Sequence, residues 1–194
     1  FIAAGTALNV NAANTLNNAG GTIQAASLNI QTGNLNNTAV GANAAQLIQT
    51  GSTGVASITT TGALNTTGGV IASNAGLSLN AQTLTNTAVV SGTVSNPIVT
   101  GGVIQSAGST SIQIAQTVDN SQGNIVAGKD ILFETFALNN TQGVIQAATG
   151  TTVIVQTLNN QQGAIVAQGA SALTVNAAQS IDNTQGQLIS GSNL

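Results

Sequence analysis

Apolar and polar residues alternate along most of the chain, in short runs separated by segments rich in glycine, asparagine and glutamine. In each run an Ile or Leu is followed two residues later by a small residue, as in Ile125/Ala127 and Ile145/Ala147. A second alternating pair follows in most runs, as in Ile112/Ile114 and Val153/Val155. Alternation with a period of two is typical of strands with one apolar side, and no segment has helical periodicity. The pattern predicts an all-β protein.

The whole pattern repeats about every 20 residues. Gly123, Gly143 and Gly163 are 20 residues apart, and each closes a segment that begins with an apolar residue and an Asn or Asp pair. The eight copies of this segment begin at Leu16, Leu35, Leu64, Leu84, Val118, Leu138, Leu158 and Ile181. Repeats of this length predict a solenoid, in which equivalent residues of successive coils stack about 4.8 Å apart. Because parallel crossovers are overwhelmingly right-handed, we expect a single-stranded, right-handed parallel β-helix of about eight coils that spans residues 1–194.

Stacking would turn the repeated positions into ladders along the axis. The predicted core ladder consists of Ile23, Ile48, Ile71, Ile104, Ile125, Ile145, Ile165 and Leu188. The predicted structural Asn ladder, interrupted only by Thr66, consists of Asn18, Asn37, Asn86, Asn120, Asn140, Asn160 and Asn183. Stacked amides can hydrogen-bond along the axis, as they do in cross-β assemblies. The glycine that follows each pair is expected to adopt a positive backbone angle at the corner.

Two insertions, at 38–46 and 87–101, interrupt the repeat just after an Asn pair. We expect both to emerge from the same corner, two coils apart. Inserted loops in repeat proteins lie on one face and sometimes bind partners, which makes residues of the second insertion candidates for a partner-binding loop. The candidates are Val89, Val90, Pro97 and Ile98. The alternative, which the general tolerance of loops to insertion favours, is a surface excursion or a packed-down extra hairpin.

Composition narrows the functions that this chain can have. It contains one basic and four acidic residues, with no His and no Cys. A net charge of -3 argues against nucleic-acid binding, and the missing ligands argue against zinc or calcium sites. We therefore predict no cofactor, no metal site and no catalytic residue.

The few charged residues support this interpretation. Asp119 and Asp182 occupy one repeat position three coils apart, about 14 Å at strand spacing, which exceeds the carboxylate separation of glycosidases. We interpret both as turn residues that replace Asn. Lys129, Asp130 and Glu134 are interpreted as a solvated corner, so a polysaccharide-degrading β-helix enzyme is only a remote alternative. Thr residues at 59–61 and 151–152 do not recur in register, which disfavours ice binding.

The unit Leu-Asn-Asn-Thr-Gln-Gly-Val-Ile-Gln-Ala at 138–147, followed by Val153-Ile154-Val155, resembles the haemagglutinin repeat of filamentous haemagglutinin-like exoproteins. The resemblance covers essentially the whole chain. It implies a right-handed parallel β-helix in a secreted bacterial cell-surface protein, exported through the outer-membrane transporter of a two-partner secretion system. Such proteins include adhesins and the stalks of contact-dependent inhibition systems.

Two roles are compatible with that resemblance. The leading one is a rod or filament segment that supports adhesion or presents distal domains. The alternative is a module that binds a cell-surface receptor or glycan through the inserted loops. Neither end resembles a cap, and Phe1-Ile2-Ala3 matches Leu188-Ile189-Ser190 in phase. We therefore expect neighbouring β-helix coils or filament subunits to cover the ends, because open ends invite strand pairing.

Overall fold

The chain folds as a parallel β-solenoid of about eight turns with about 21 residues per turn. The computed structural model describes residues 1–93, 96–100 and 102–193, apart from the side chains of residues 90–99. Every regular element in these residues is a strand. The strands are β1 (Ile2–Asn17), β2 (Thr22–Asn36), β3 (Gln46–Gln49), β4 (Val55–Thr60), β5 (Ala63–Asn65), β6 (Val70–Ser73), β7 (Gly76–Thr85), β8 (Val89–Thr93), β9 (Asn96–Thr100), β10 (Val103–Ser106), β11 (Thr110–Asp119), β12 (Asn124–Ala127), β13 (Ile131–Asn139), β14 (Val144–Ala147), β15 (Thr151–Asn159), β16 (Ala164–Ala167), β17 (Leu173–Asp182) and β18 (Gln187–Ser190).

Sixteen strands form one continuous parallel sheet, and β8 and β9 form a separate antiparallel hairpin. The short strands β3, β6, β10, β12, β14, β16 and β18 stack in that order into what we call the first face. The longer strands β7, β11, β13, β15 and β17 each contribute first to a second face and then to a third. The register of β11 against its neighbours shifts between Ile114 and Thr117, and this shift marks the corner between the second and third faces.

The core is a set of inward columns that run the length of the solenoid. Ile125, Ile145 and Ile165 lie directly over one another on the first face, and all three are fully buried. Leu138 and Leu158 form part of the matching column on the third face. Burial of such side chains contributes about 1.5–3 kcal/mol each. The predicted parallel β-helix is confirmed, with coils slightly longer than 20 residues.

One member of the predicted core ladder is wrong. Leu47, not Ile48, is paired with Ile23 and Ile71 and is fully buried, whereas Ile48 is partly exposed on the outer side of β3. The preceding insertion ends one residue earlier than expected, because Gln46 is already the first residue of β3. A shift of one residue moves every side chain of a strand to the opposite face.

The same shift places Gln49 inside the solenoid. Its Oε1 accepts a hydrogen bond from the Leu28 backbone N–H at 3.2 Å, while its Nε2 has no partner. The neighbouring inward position of that coil is occupied by Ala56, where other coils carry larger residues such as Leu77. A small residue therefore leaves space for the buried amide.

Two further assignments of register also need correction. Ile112, not Ile114, pairs with Phe133, and Val153 pairs with Phe133 on its other side, so Thr110 and Thr151 occupy the first inward position of their coils. Both threonines are buried, which the apolar pattern could not predict. At the start of the chain, Ile2 and not Phe1 is in the column of Leu188, because Ile2 pairs with Ile23.

Candidate functional site

The most regular polar feature is the corner between the third and first faces, which we call the Asn corner. The second Asn of each pair points into the solenoid and donates to the same residue of the next coil. The Nδ2–Oδ1 distances are 2.7 Å for Asn86–Asn120, Asn120–Asn140, Asn140–Asn160 and Asn160–Asn183, and 2.8 Å for Asn18–Asn37. Each amide also donates to a nearby backbone carbonyl, as Asn140 does to Gly143 at 3.2 Å. The ladder thus satisfies buried polar groups and joins the coils, and it leaves no reactive group free for chemistry.

Thr66 breaks this ladder in two. Asn37 lies below it and donates instead to the Val70 carbonyl at 2.8 Å. The Asn86 Oδ1 above it is buried without a partner, and so is the Thr66 hydroxyl oxygen. A buried polar atom without a partner costs about 1–3 kcal/mol. The break is therefore a local weakness in the solenoid.

Replacing Thr66 with Asn should repair the break. The new amide would donate to Asn86 Oδ1 and accept from Asn37 Nδ2, as at every other described rung of the ladder. We expect Thr66→Asn to raise the free energy of unfolding by about 1–2 kcal/mol, measured by urea denaturation. Thr53→Asn, in an exposed loop, is the matched control and should change stability by less than about 0.5 kcal/mol. A Thr66→Asn variant no more stable than the control would contradict this account.

The first residue of each pair forms a turn. Asn139 Oδ1 accepts from the Thr141 N–H, and Asp119 and Asp182 accept in the same way from Ser121 and Thr184. Asp119 and Asp182 lie in one outward column with Asn139 and Asn159 between them. The carboxylates are thus structural replacements for Asn. A hydrogen bond from Gln161, together with those from Thr184, lowers the pKa of Asp182.

The glycine after each pair serves a purpose other than the one predicted. Positive φ angles of 55–59° occur one residue earlier, at Gln122, Gln142, Gln162 and Gln185. Earlier coils place Gly20 and Gly68 at this position, with φ of 63° and 64°. The following glycine is needed because a Cβ at Gly143 or Gly163 would overlap the backbone carbonyl oxygen of an Asn in the preceding coil. The expectation of a positive angle at that glycine was wrong.

The glutamines in the positive-φ column form an external ladder that the sequence analysis missed. Gln122 Nε2 donates to Gln142 Oε1 at 2.9 Å, Gln142 donates to Gln162 at 2.8 Å, and Gln162 donates to Gln185 at 2.9 Å. Repetition of Gln two residues after the second Asn was the available signal. Left-handed backbone is unfavourable for a residue with a Cβ, and these exposed bonds offset part of that cost.

Lys129 and Asp130 lie at an exposed corner, and Glu134 is partly exposed on the second face. Asp130 accepts hydrogen bonds from the Thr149 hydroxyl and the Gly150 N–H, which lower its pKa, the Thr149 bond most. A carboxylate whose pKa is lower in the folded chain stabilises the fold above its unfolded pKa, and this contribution is lost as the pH falls through the folded value. Within residues 1–93, 96–100 and 102–193, no three acidic, His or Cys side chains are grouped so that they could hold a metal.

The two insertions emerge from the Asn corner two coils apart. The first contains an isolated antiparallel bridge between Val40 and Asn43, and the second contains the β8–β9 hairpin. Gly68, in the coil between them, faces Ala39 on one side and Val89 on the other. Val89 therefore lies at the base of its hairpin, against the solenoid. The side chains of Val90, Pro97 and Ile98 lie outside the described residues, so no contact surface is assigned to them.

No protein-family model, curated protein or solved structure matches this chain. In the part of the chain that the structure describes, there is no helix long and apolar enough to cross a membrane. The fold and the function are therefore argued from the residues and their geometry alone.

Proposed function

We propose that this chain is a rigid rod segment of a secreted bacterial surface exoprotein of the filamentous haemagglutinin type, which holds adhesive or other distal domains away from the cell. The observation that carries the proposal is the continuity of the internal columns. The column on the first face runs from Ile2 to Leu188, one residue per coil. A chain built in this way has its regular, repeated bonding along one axis, as a spacer requires.

The bonding along the axis explains why such a rod would resist bending. Parallel ladders join each coil to the next on every face, and the Asn ladder adds buried amide bonds at one corner. At strand spacing, eight coils extend about 38 Å. Nearly all of these bonds are between uncharged groups, since the chain has only five charged side chains, so the rod should respond little to salt. Export through a two-partner outer-membrane transporter, as a chain that folds coil by coil, is part of the proposal.

Removal of one complete coil tests the rod directly. Deletion of residues 144–163 joins Gly143 to Ala164 and leaves Ile125 to stack on Ile165. Because each coil contacts only its neighbours, we expect the shortened chain to fold cooperatively, with its maximum dimension in small-angle X-ray scattering reduced by about 5 Å. Deletion of residues 154–163, half a coil, is the control and should prevent folding. Equal tolerance of both deletions would refute the coil register.

A second pair of variants separates a passive rod from a loop-based binding module. Residues 87–101 are replaced by Thr-Gln, which recreates the Asn-Thr-Gln-Gly corner found at 140–143. A rod whose loops are passive keeps whatever cell attachment the full-length protein has, in both this variant and the 144–163 deletion. Loss of attachment confined to the loop replacement would overturn the proposal in favour of the binding module.

A further inference from the structure

A shallow groove runs along the rod at the corner between the second and third faces. Its volume is about 790 Å³, and its lining residues come from five successive coils. The side chains that matter for binding are Asn80, Gln82, Gln113, Glu134, Phe136 and Gln156. Five coils correspond to about 19 Å between the first and the last. The groove is thus long enough for an extended ligand rather than for one small molecule.

The groove exists because the corners differ in length from coil to coil. Between the paired positions Ile114 and Thr117 the chain has two residues, whereas the next coil has only Phe136 in the equivalent place. The coil after that has only Gln156, and the last of the series again has two residues, 178–179. The longer corners project, and the shorter ones form a recess between them. The recess is a consequence of the repeat lengths and does not depend on a flexible loop.

The chemistry of the recess is unusual for this chain. Phe136 is 54% exposed there, while Phe133 on the same strand is fully buried in the core. Next to it, Gln113 Nε2 donates to Glu134 Oε2 at 3.0 Å, which fixes a carboxylate beside the ring. Amides of Gln82, Gln113 and Gln156 supply both donors and acceptors along the groove. An apolar ring face among neutral hydrogen-bonding groups thus repeats the mixture that ligand pockets use.

We propose that this groove binds a linear neutral oligosaccharide, a function that goes beyond the rod and does not rest on it. The apolar face of a sugar ring would stack on Phe136, and its hydroxyl groups would hydrogen-bond with the amides and with Glu134. The lining includes one carboxylate and no cation, which disfavours anionic glycans and nucleic acid. The bordering strands β4, β7, β11, β13 and β15 are paired on both sides, so an extended peptide finds no free strand edge there.

The test compares exposed phenylalanines inside and outside the groove. Binding of linear neutral hexose oligosaccharides of increasing length to the whole chain is measured by titration calorimetry, beside glycans that carry uronate or sulfate groups. We expect affinity to increase with length for the neutral series. Phe136→Ala should weaken binding by about tenfold or more, the loss typical of an aromatic anchor, and Phe136→Tyr should retain it. Phe1→Ala, at a residue 86% exposed and outside the groove, is the control.

Since Phe136 is exposed, its replacement should leave the thermal midpoint within a few degrees of the parent, and the melting curve is recorded for each variant. Three results would overturn the proposal. They are absence of binding to every neutral oligosaccharide, binding confined to charged glycans, and equal affinities for Phe136→Ala and Phe1→Ala. Each of these leaves the rod function untouched, because coil deletion tests it separately.

Discussion

Replacing Gly163 with alanine is expected to lower the free energy of unfolding by about 4 kcal/mol, near the upper end of single-residue effects. The added Cβ would overlap the Asn140 carbonyl oxygen and lie 2.6 Å from Asn160 Oδ1. The carbonyl is part of the backbone of the preceding coil, and Asn160 Oδ1 accepts the ladder hydrogen bond from Asn140. Relief of the overlap would therefore require two coils to separate or the ladder to break.

The matched control is Gly5→Ala, because a Cβ at Gly5 meets no atom within 4 Å. Both variants are measured by urea denaturation against the parent chain, with two spectroscopic probes, since repeat proteins can unfold in stages. A stable Gly163→Ala variant would mean that the coils are further apart at this corner than the structure places them. Equal losses for the two variants would mean that the cost arises from the unfolded chain.

The parts of the fold that followed from the sequence are those where the repeat length is constant. From Ile104 to Ile165, each core residue could be assigned because equal spacing and alternating polarity gave the same answer. The assignment failed at Ile48, where a preceding insertion made the number of residues in the coil uncertain. Two adjacent apolar residues, Leu47 and Ile48, then gave no information on which one pointed inward.

Polar residues in the interior were the second cause of error. Thr110 and Thr151 occupy inward positions because their hydroxyl groups find partners there, Ser106 Oγ at 2.7 Å and the Val166 carbonyl at 3.2 Å. Gln49 is accommodated through the Leu28 N–H. A pattern of apolar residues cannot predict such positions, because the cost of burying a polar group depends on bonds that form only in three dimensions.

The glycines and the groove show what tertiary geometry adds. Repetition of Gly143 and Gly163 indicated that no side chain is tolerated there, but it could not distinguish a positive φ from a close approach of two coils. Phe136 was not singled out, because an aromatic residue in a strand is more often part of the core. Its exposure depends on a corner one residue shorter than that of the neighbouring coil.

Replacing Asn140 with alanine is expected to cost about 4 kcal/mol, because it removes the centre of the buried ladder. Asn160 Oδ1 would lose its donor at 2.7 Å, and Asn120 Nδ2 would lose its acceptor at the same distance. Both groups are inside the solenoid and fully buried, so water cannot replace the lost partner without opening the corner.

Asn124→Ala supplies the comparison, since the Asn124 side chain is exposed on β12 and should contribute less than about 0.5 kcal/mol. Urea midpoints of the two variants give the difference. If the ladder acts only as a set of independent turn caps, Asn140→Ala would cost about 1 kcal/mol, as a lost cap does. A loss several times larger indicates that the amides join the coils along the axis, which is the property that a rod needs.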